Sequence, residues 1–148
     1  MFPYWRDLRE TILEAVRGLT EEQLDWRPPG VKRSIRDILI HIAGAERGWI
    51  LGAAAGREER FEDAEAGFRD PIDEILAELE RVHSETERLL DEISVNDLII
   101  RRCRLRHRQD SPEFSLRWVF YHVIEHEAHH RGQIFMTMRM QGLTPPEV

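Results

Sequence analysis

Apolar residues recur every third or fourth position through four long stretches of the chain, and each stretch reads as an amphipathic helix. From Pro3 to Gly18 the stripe is Trp5, Leu8, Ile12, Ala15 and Val16, running on to Leu19. From Ser34 to about Leu51 it is Ile35, Ile38, Leu39, Ile42, Ala45 and Trp49. From Asp70-Pro71 to about Ile93 it is Ile72, Ile75, Leu76, Leu79, Val82, Thr86, Leu89, Leu90 and Ile93. From Ser115 to Met140 it is Leu116, Val119, Phe120, Val123, Ile124, Ile134, Phe135 and Met138. Punctuation agrees with the stripes. Thr20-Glu-Glu-Gln23 has the form of a capping box and opens a short turn of helix through Leu24. Ser34 and Ser115 are placed as helix caps. Trp26-Arg-Pro-Pro-Gly30 makes a stiff connector, because proline donates no backbone hydrogen bond. Asp70-Pro71 opens the third helix with proline at the first helical position.

Two stretches break the period. Residues Ala53 to Arg69 are mostly Gly, Ala, Glu, Asp and Arg, and predict a loop with at most a short helix. From Ile99 to Arg108, Cys103, Leu105 and His107 alternate with arginines, which predicts a short strand or an irregular extended segment before the last helix. The expectation is an all-α, single-domain four-helix bundle over residues 1–148.

Composition narrows the classes of function. The chain has 148 residues, long enough for one real core. A net charge of −7 argues against general nucleic-acid binding, and no apolar run approaches a membrane span. The arginines of 101–108 lack interleaved aromatic residues to stack bases, although they could neutralise an anionic substrate. The lone Cys103 excludes an internal disulfide and fits a cytoplasmic location. The first residues carry Asp7, Glu10 and Glu14 within an amphipathic pattern, unlike a secretory signal.

The chemistry concentrates in the last helix, at His122-Val-Ile-Glu-His126-Glu-Ala-His129-His130-Arg-Gly-Gln133. With His122 at zero and about 100° per residue, the apolar face centres near 140°, His130 falls near 80° and His126 near 40°. His126 and His130 are thus the pair nearest the core. Their i,i+4 spacing stacks two imidazoles one turn apart, able to converge on one metal ion. Surface histidines of an ordinary helix can show the same letters, so the pair gains its meaning from a third ligand. That ligand must come from another element: His41, on the border of the second helix, is best placed, and His83 on the third helix is the rival. Glu46 points into the same face as Trp49, and a buried carboxylate needs a partner, either a ligand histidine to orient or an arginine. His126-Glu127-Ala-His-His130 also spells HExxH, the zinc-protease helix motif in which the glutamate acts on water. Against a zinc hydrolase of that kind, no third ligand of the usual sort follows His130, and no substrate-aligning strand is expected.

Three segments together resemble the DinB-like, or YfiT-like, metalloenzyme family of bacteria. They are Leu19-Thr-Glu-Glu-Gln-Leu-Asp-Trp-Arg-Pro, Arg33-Ser-Ile-Arg-Asp-Ile-Leu-Ile-His41-Ile-Ala-Gly-Ala-Glu46, and the histidine-rich stretch from His122 to Ile134. The resemblance implies a four-helix bundle that dimerises and holds a divalent transition metal through His41, His126 and His130. Zinc or nickel comes first, with iron, manganese or cobalt as substitutes. It further implies a small-molecule substrate and chemistry like that of thiol-dependent transferases using low-molecular-weight thiols, or of hydrolases. Three imidazoles leave a coordination position open to a water or a thiol. Glu127 or Glu46 would orient a ligand or move a proton, with His122 and His129 beside the site. The alternative is a non-catalytic, dimeric metal-binding or stress-associated bundle.

Overall fold

The computed structural model describes residues 2–57, 71–105 and 108–147. Four long helices form the bundle: α1 (Pro3–Val16), α3 (Ile35–Glu46), α4 (Ile72–Glu92) and α6 (Leu116–Met140). Helix α3 packs on α4 and α6, and α1 packs on α6. Two short helices, α2 (Glu21–Asp25) and α5 (Val95–Ile100), lie in the connections. Each of these, like α3, opens on a complete capping box: Thr20 with Gln23, Ser94 with Asp97, and Ser34 with Asp37. Ser115 caps α6 by accepting from the Trp118 N–H. Gly18, at φ +80°, supplies the left-handed residue that lets the chain leave α1.

Three differences from the sequence reading have physical causes. The second helix does not end near Leu51: it continues as a π-helix, Arg47–Ala54, extending into the stretch read as a loop. The Ala55 N–H closes this segment on the Ile50 carbonyl at 2.8 Å. Gly48, Ile50, Leu51 and Gly52 are all buried there, so packing rather than amphipathic spacing sets its length. Pro71 is the cap residue before α4, and helical hydrogen bonding begins at Ile72. The alternating segment folds in two parts: α5 ends at Ile100, then β1 (Arg102–Cys103) pairs antiparallel with β2 (Phe114–Ser115). The rest of the loop prediction, over 58–70, and His107 lie outside the described residues.

The core has two apolar layers separated by a charged one. One layer includes Ile12, Ile42, Leu79 and Ile134, and the other Leu8, Ile50, Val82 and Ile124. On α1 the boundary residue between these layers is Arg9, on the second helix Glu46, and on α6 Glu127; all three are buried. A buried Leu or Ile contributes ~1.5–3 kcal/mol. Charged groups at this level forgo that gain and are tolerable only if fully paired.

Candidate metal centre

Helices α3 and α6 run side by side, and this adjacency brings His41 to the pair His126 and His130. The His126 and His41 Nε2 atoms are 2.9 Å apart, and the His130 and His126 Nε2 atoms 3.1 Å. All three nitrogens lie within 4.8 Å of one another. Two imidazole nitrogens on a tetrahedral ion at ~2.0–2.1 Å stand about 3.3 Å apart, so the observed spacing is close to that of a ligand set. The donor chemistry passes the same test. A neutral imidazole nitrogen carries either a hydrogen or a lone pair. His126 Nε2 therefore cannot make both of its contacts as full hydrogen bonds, whereas a cation among three lone pairs serves them all.

Neighbouring groups prepare the rings for that role. The Gln133 side-chain oxygen lies 2.8 Å from His130 Nδ1, which places the hydrogen on Nδ1 and leaves the Nε2 lone pair facing the cluster. The Gln133 amide nitrogen donates to His129 Nε2 at 2.9 Å, so His129 supports the glutamine. Burial lowers the His126 pKa to about 3, with His130 and His41 adding to the effect. Burial lowers His130 to about 4, against the opposing pull of Gln133. Both rings are thus uncharged at neutral pH, the form that ligates metals. His122 stacks on Trp118 with its ring centroid 6.3 Å from that of His126, beside the cluster rather than in it.

Low folded-state pKa values have a consequence for stability. In metal-free protein the unfolded histidines, near 6.5, take up protons before the folded ones. Stability is therefore complete above about pH 6.5 and falls as pH drops toward about 4. Urea unfolding of metal-stripped protein between about pH 7 and about pH 4.5 is expected to show a falling midpoint, with a shallower fall in His126→Ala/His130→Ala. An equally steep fall in the double variant would contradict the assignment of these protons.

Glu46 and Glu127, expected beside the ion as ligand-orienting or proton-moving groups, are bound elsewhere. Arg9 grips Glu127 through both oxygens, Nε to Oε1 at 2.5 Å and Nη2 to Oε2 at 2.8 Å. Trp5 Nε1 adds a third bond to Glu127 Oε2 at 2.7 Å. The same Arg9 Nη2 reaches Glu46 Oε2 at 2.7 Å, and Nη1 donates to the Leu79 carbonyl at 3.1 Å. Glu46 Oε1 accepts from His83 Nδ1 at 3.0 Å. His83, the rival third ligand, is thereby committed to Glu46, with its ring edge-on to Trp5. Of the two partners foreseen for Glu46, the arginine is the one found. Burial alone would raise the Glu46 pKa, but Arg9 and His83 outweigh it and hold the carboxylate below its ordinary range. The HExxH letters therefore do not place a glutamate on water at this centre, because the buried charge of Glu127 is already satisfied.

The residues missed by sequence reasoning are Arg9, Trp5 and Gln133. Arg9 left a signal: it falls within the apolar stripe of α1, one turn after Trp5, while Glu46 and Glu127 fall on the inward faces of their own helices. Two inward carboxylates and one inward guanidinium call for each other.

Comparison with known proteins agrees with the fold. A sequence model of the DinB superfamily matches residues 4–134. A DinB-like protein from Bacillus cereus ATCC 10987 has a similar solved structure, with TM-score 0.78 and 23% identity, over 99% of this chain and 94% of that one. So does YfiT from Bacillus subtilis, described as a probable metal-dependent hydrolase with an unusual four-helix bundle topology. There the TM-score is 0.74 and the identity 20%, over 97% of this chain and 86% of that one. Among curated proteins, none matches the sequence.

Proposed function

Since this chain belongs to the DinB superfamily, we propose that it is a metal-dependent enzyme whose ion is held by His41, His126 and His130. The observation that carries the proposal is the convergence of three imidazole Nε2 atoms from two helices. A divalent transition ion bound there supplies Lewis acidity at a coordination position left open to a water or a low-molecular-weight thiol, which suits hydrolysis or thiol transfer on a small molecule. The description of YfiT as a probable metal-dependent hydrolase supports the first of these chemistries.

Residues of the chain itself do the positioning. Gln133 fixes the His130 tautomer. Arg9 ties Glu46, on the helix of His41, to Glu127, on the helix of His126 and His130. The two helices that bring the ligands together are thus cross-linked through Arg9. In this reading Glu46 and Glu127 set ligand geometry and do not move protons.

The test compares metal-stripped protein with protein reloaded with zinc or nickel. One arm offers p-nitrophenyl acetate and p-nitrophenyl phosphate, and the other offers 1-chloro-2,4-dinitrobenzene with cysteine. Turnover is expected in at least one arm, restored by metal and lost in His130→Ala. Absence of metal-dependent turnover in both arms would leave the site as a non-catalytic metal clamp and overturn the proposal.

A further inference from the structure

A second feature runs into the metal centre from one end of α6. Trp118, His122, His126 and His130 follow one another at intervals of four along α6, which sets their rings in a row, and Phe114, on β2, extends the row by stacking on Trp118. Phe114 stacks on Trp118 at 4.4 Å and 23°, and Trp118 on His122 at 4.7 Å and 12°. Trp49, carried by the π-helix, closes on the column from the side. It meets Phe114 at 5.3 Å, Trp118 at 5.6 Å and His122 at 4.9 Å, edge-on each time. π-Helical turns are rare and frequent at functional sites, and this one begins in the residue after Glu46.

Trp49 and Phe114 also line a cavity of about 570 Å³, together with Leu105, Pro112, Arg108 and Asp110. That volume lies in the range of small-molecule sites, which pair an apolar wall with a few polar groups. Trp118 keeps 43% of its surface exposed although Phe114 and His122 stack on it, so the ring column reaches solvent at this residue. His122 has its pKa lowered by burial and presents a neutral ring to the stack.

We infer that this aromatic wall is the substrate-recognition subsite, taking a planar aromatic or heteroaromatic group and directing it along the ring column toward the three histidines. The inference rests on the reading of those histidines as the reacting centre for its direction, though not for binding itself. A flat π-face set against the Trp49 and Phe114 rings that line the cavity gains from stacking and edge contacts that a saturated ring of the same size does not make. Polar substituents meet Arg108 and Asp110 at the rim of the cavity. A concave, partly polar site favours a small ligand over a second copy of the chain.

The experiment is a titration of metal-stripped protein, labelled at its four tryptophans, with naphthalene-2-methanol and its decahydro analogue. Saturable shifts are expected at the Trp49 and Trp118 indole N–H signals and not at Trp5 or Trp26. The saturated analogue is expected to bind about fivefold more weakly, and Trp118→Ala to weaken the aromatic ligand by about the same factor. Equal affinity for the two ligands, or no saturable shift, would overturn the inference. Shifts of Trp118 that depend on protein concentration alone would also overturn it, by showing that a second copy covers the ring. Repeating the titration in His126→Ala, and a zinc titration in Trp118→Ala, separates the two readings: loss of metal binding leaves this subsite intact, and loss of the subsite leaves metal uptake intact.

Discussion

Arg9→Met is expected to destabilise the bundle by about 3–5 kcal/mol, the usual cost of removing one partner from a buried ionic group. The guanidinium makes four hydrogen-bonding contacts with Glu46 and Glu127 and the Leu79 carbonyl. Methionine fills much of the volume and returns none of them. Two carboxylates then remain in a layer enclosed by apolar side chains, with Trp5 still bonded to Glu127 and His83 to Glu46. Glu46 would recover part of the cost by taking up a proton, since the largest influence holding its pKa down is Arg9. Domains of this kind are stable by ~5–15 kcal/mol in all, so the loss is a large share. At ~2–4 °C per kcal/mol for a chain of this size, the thermal midpoint should fall by about 10 °C. Arg9→Lys keeps the charge without the planar fork and should fall between the two. Equilibrium urea unfolding at neutral pH checks the series. A loss under about 1 kcal/mol for Arg9→Met would mean that the three-charge layer does not hold the helices together.

The fold was legible to the extent that it is written in repeated spacing. Each long helix carries a sustained apolar stripe, and Thr20, Ser34 and Ser115 announce helix starts through side-chain capping. Helix α5 uses the same capping grammar at Ser94 and Asp97, but six residues are too few to show a period, and the arginine alternation beyond it reads more strongly. The π-helix was hidden because Ala45 and Trp49 fit an ordinary helix, and the widened turn is imposed by burial of Ile50 and Leu51. Within the site, His126 and His130 follow from local geometry alone. His41 could be singled out only as a well-placed partner, since its approach depends on how α3 meets α6. Arg9 was missed because a charge inside an apolar stripe reads as an exception, whereas here it answers two carboxylates far away in sequence.

His126→Ala carries the other large expectation. His126 Nε2 is the middle of the three donors, in contact with both His41 and His130. Removing it leaves two imidazoles, and affinity should fall by at least the ~100-fold seen when groups that merely orient a ligand are lost. Metal that binds only the folded chain also stabilises it. At a free concentration a thousand times the dissociation constant the gain is about 4.1 kcal/mol, or about 10 °C for this chain. At the same free concentration a site about 100-fold weaker gains only about 1.4 kcal/mol, so zinc or nickel should raise the melting temperature of His126→Ala by no more than about a third of the rise in the parent protein.

The most direct measurement is a calorimetric titration of zinc, then nickel, into metal-stripped protein at neutral pH, parent beside His126→Ala. The three-histidine centre predicts about one equivalent bound by the parent and binding at least about 100-fold weaker in the variant. No uptake by the parent, or equal uptake by the two, would contradict it.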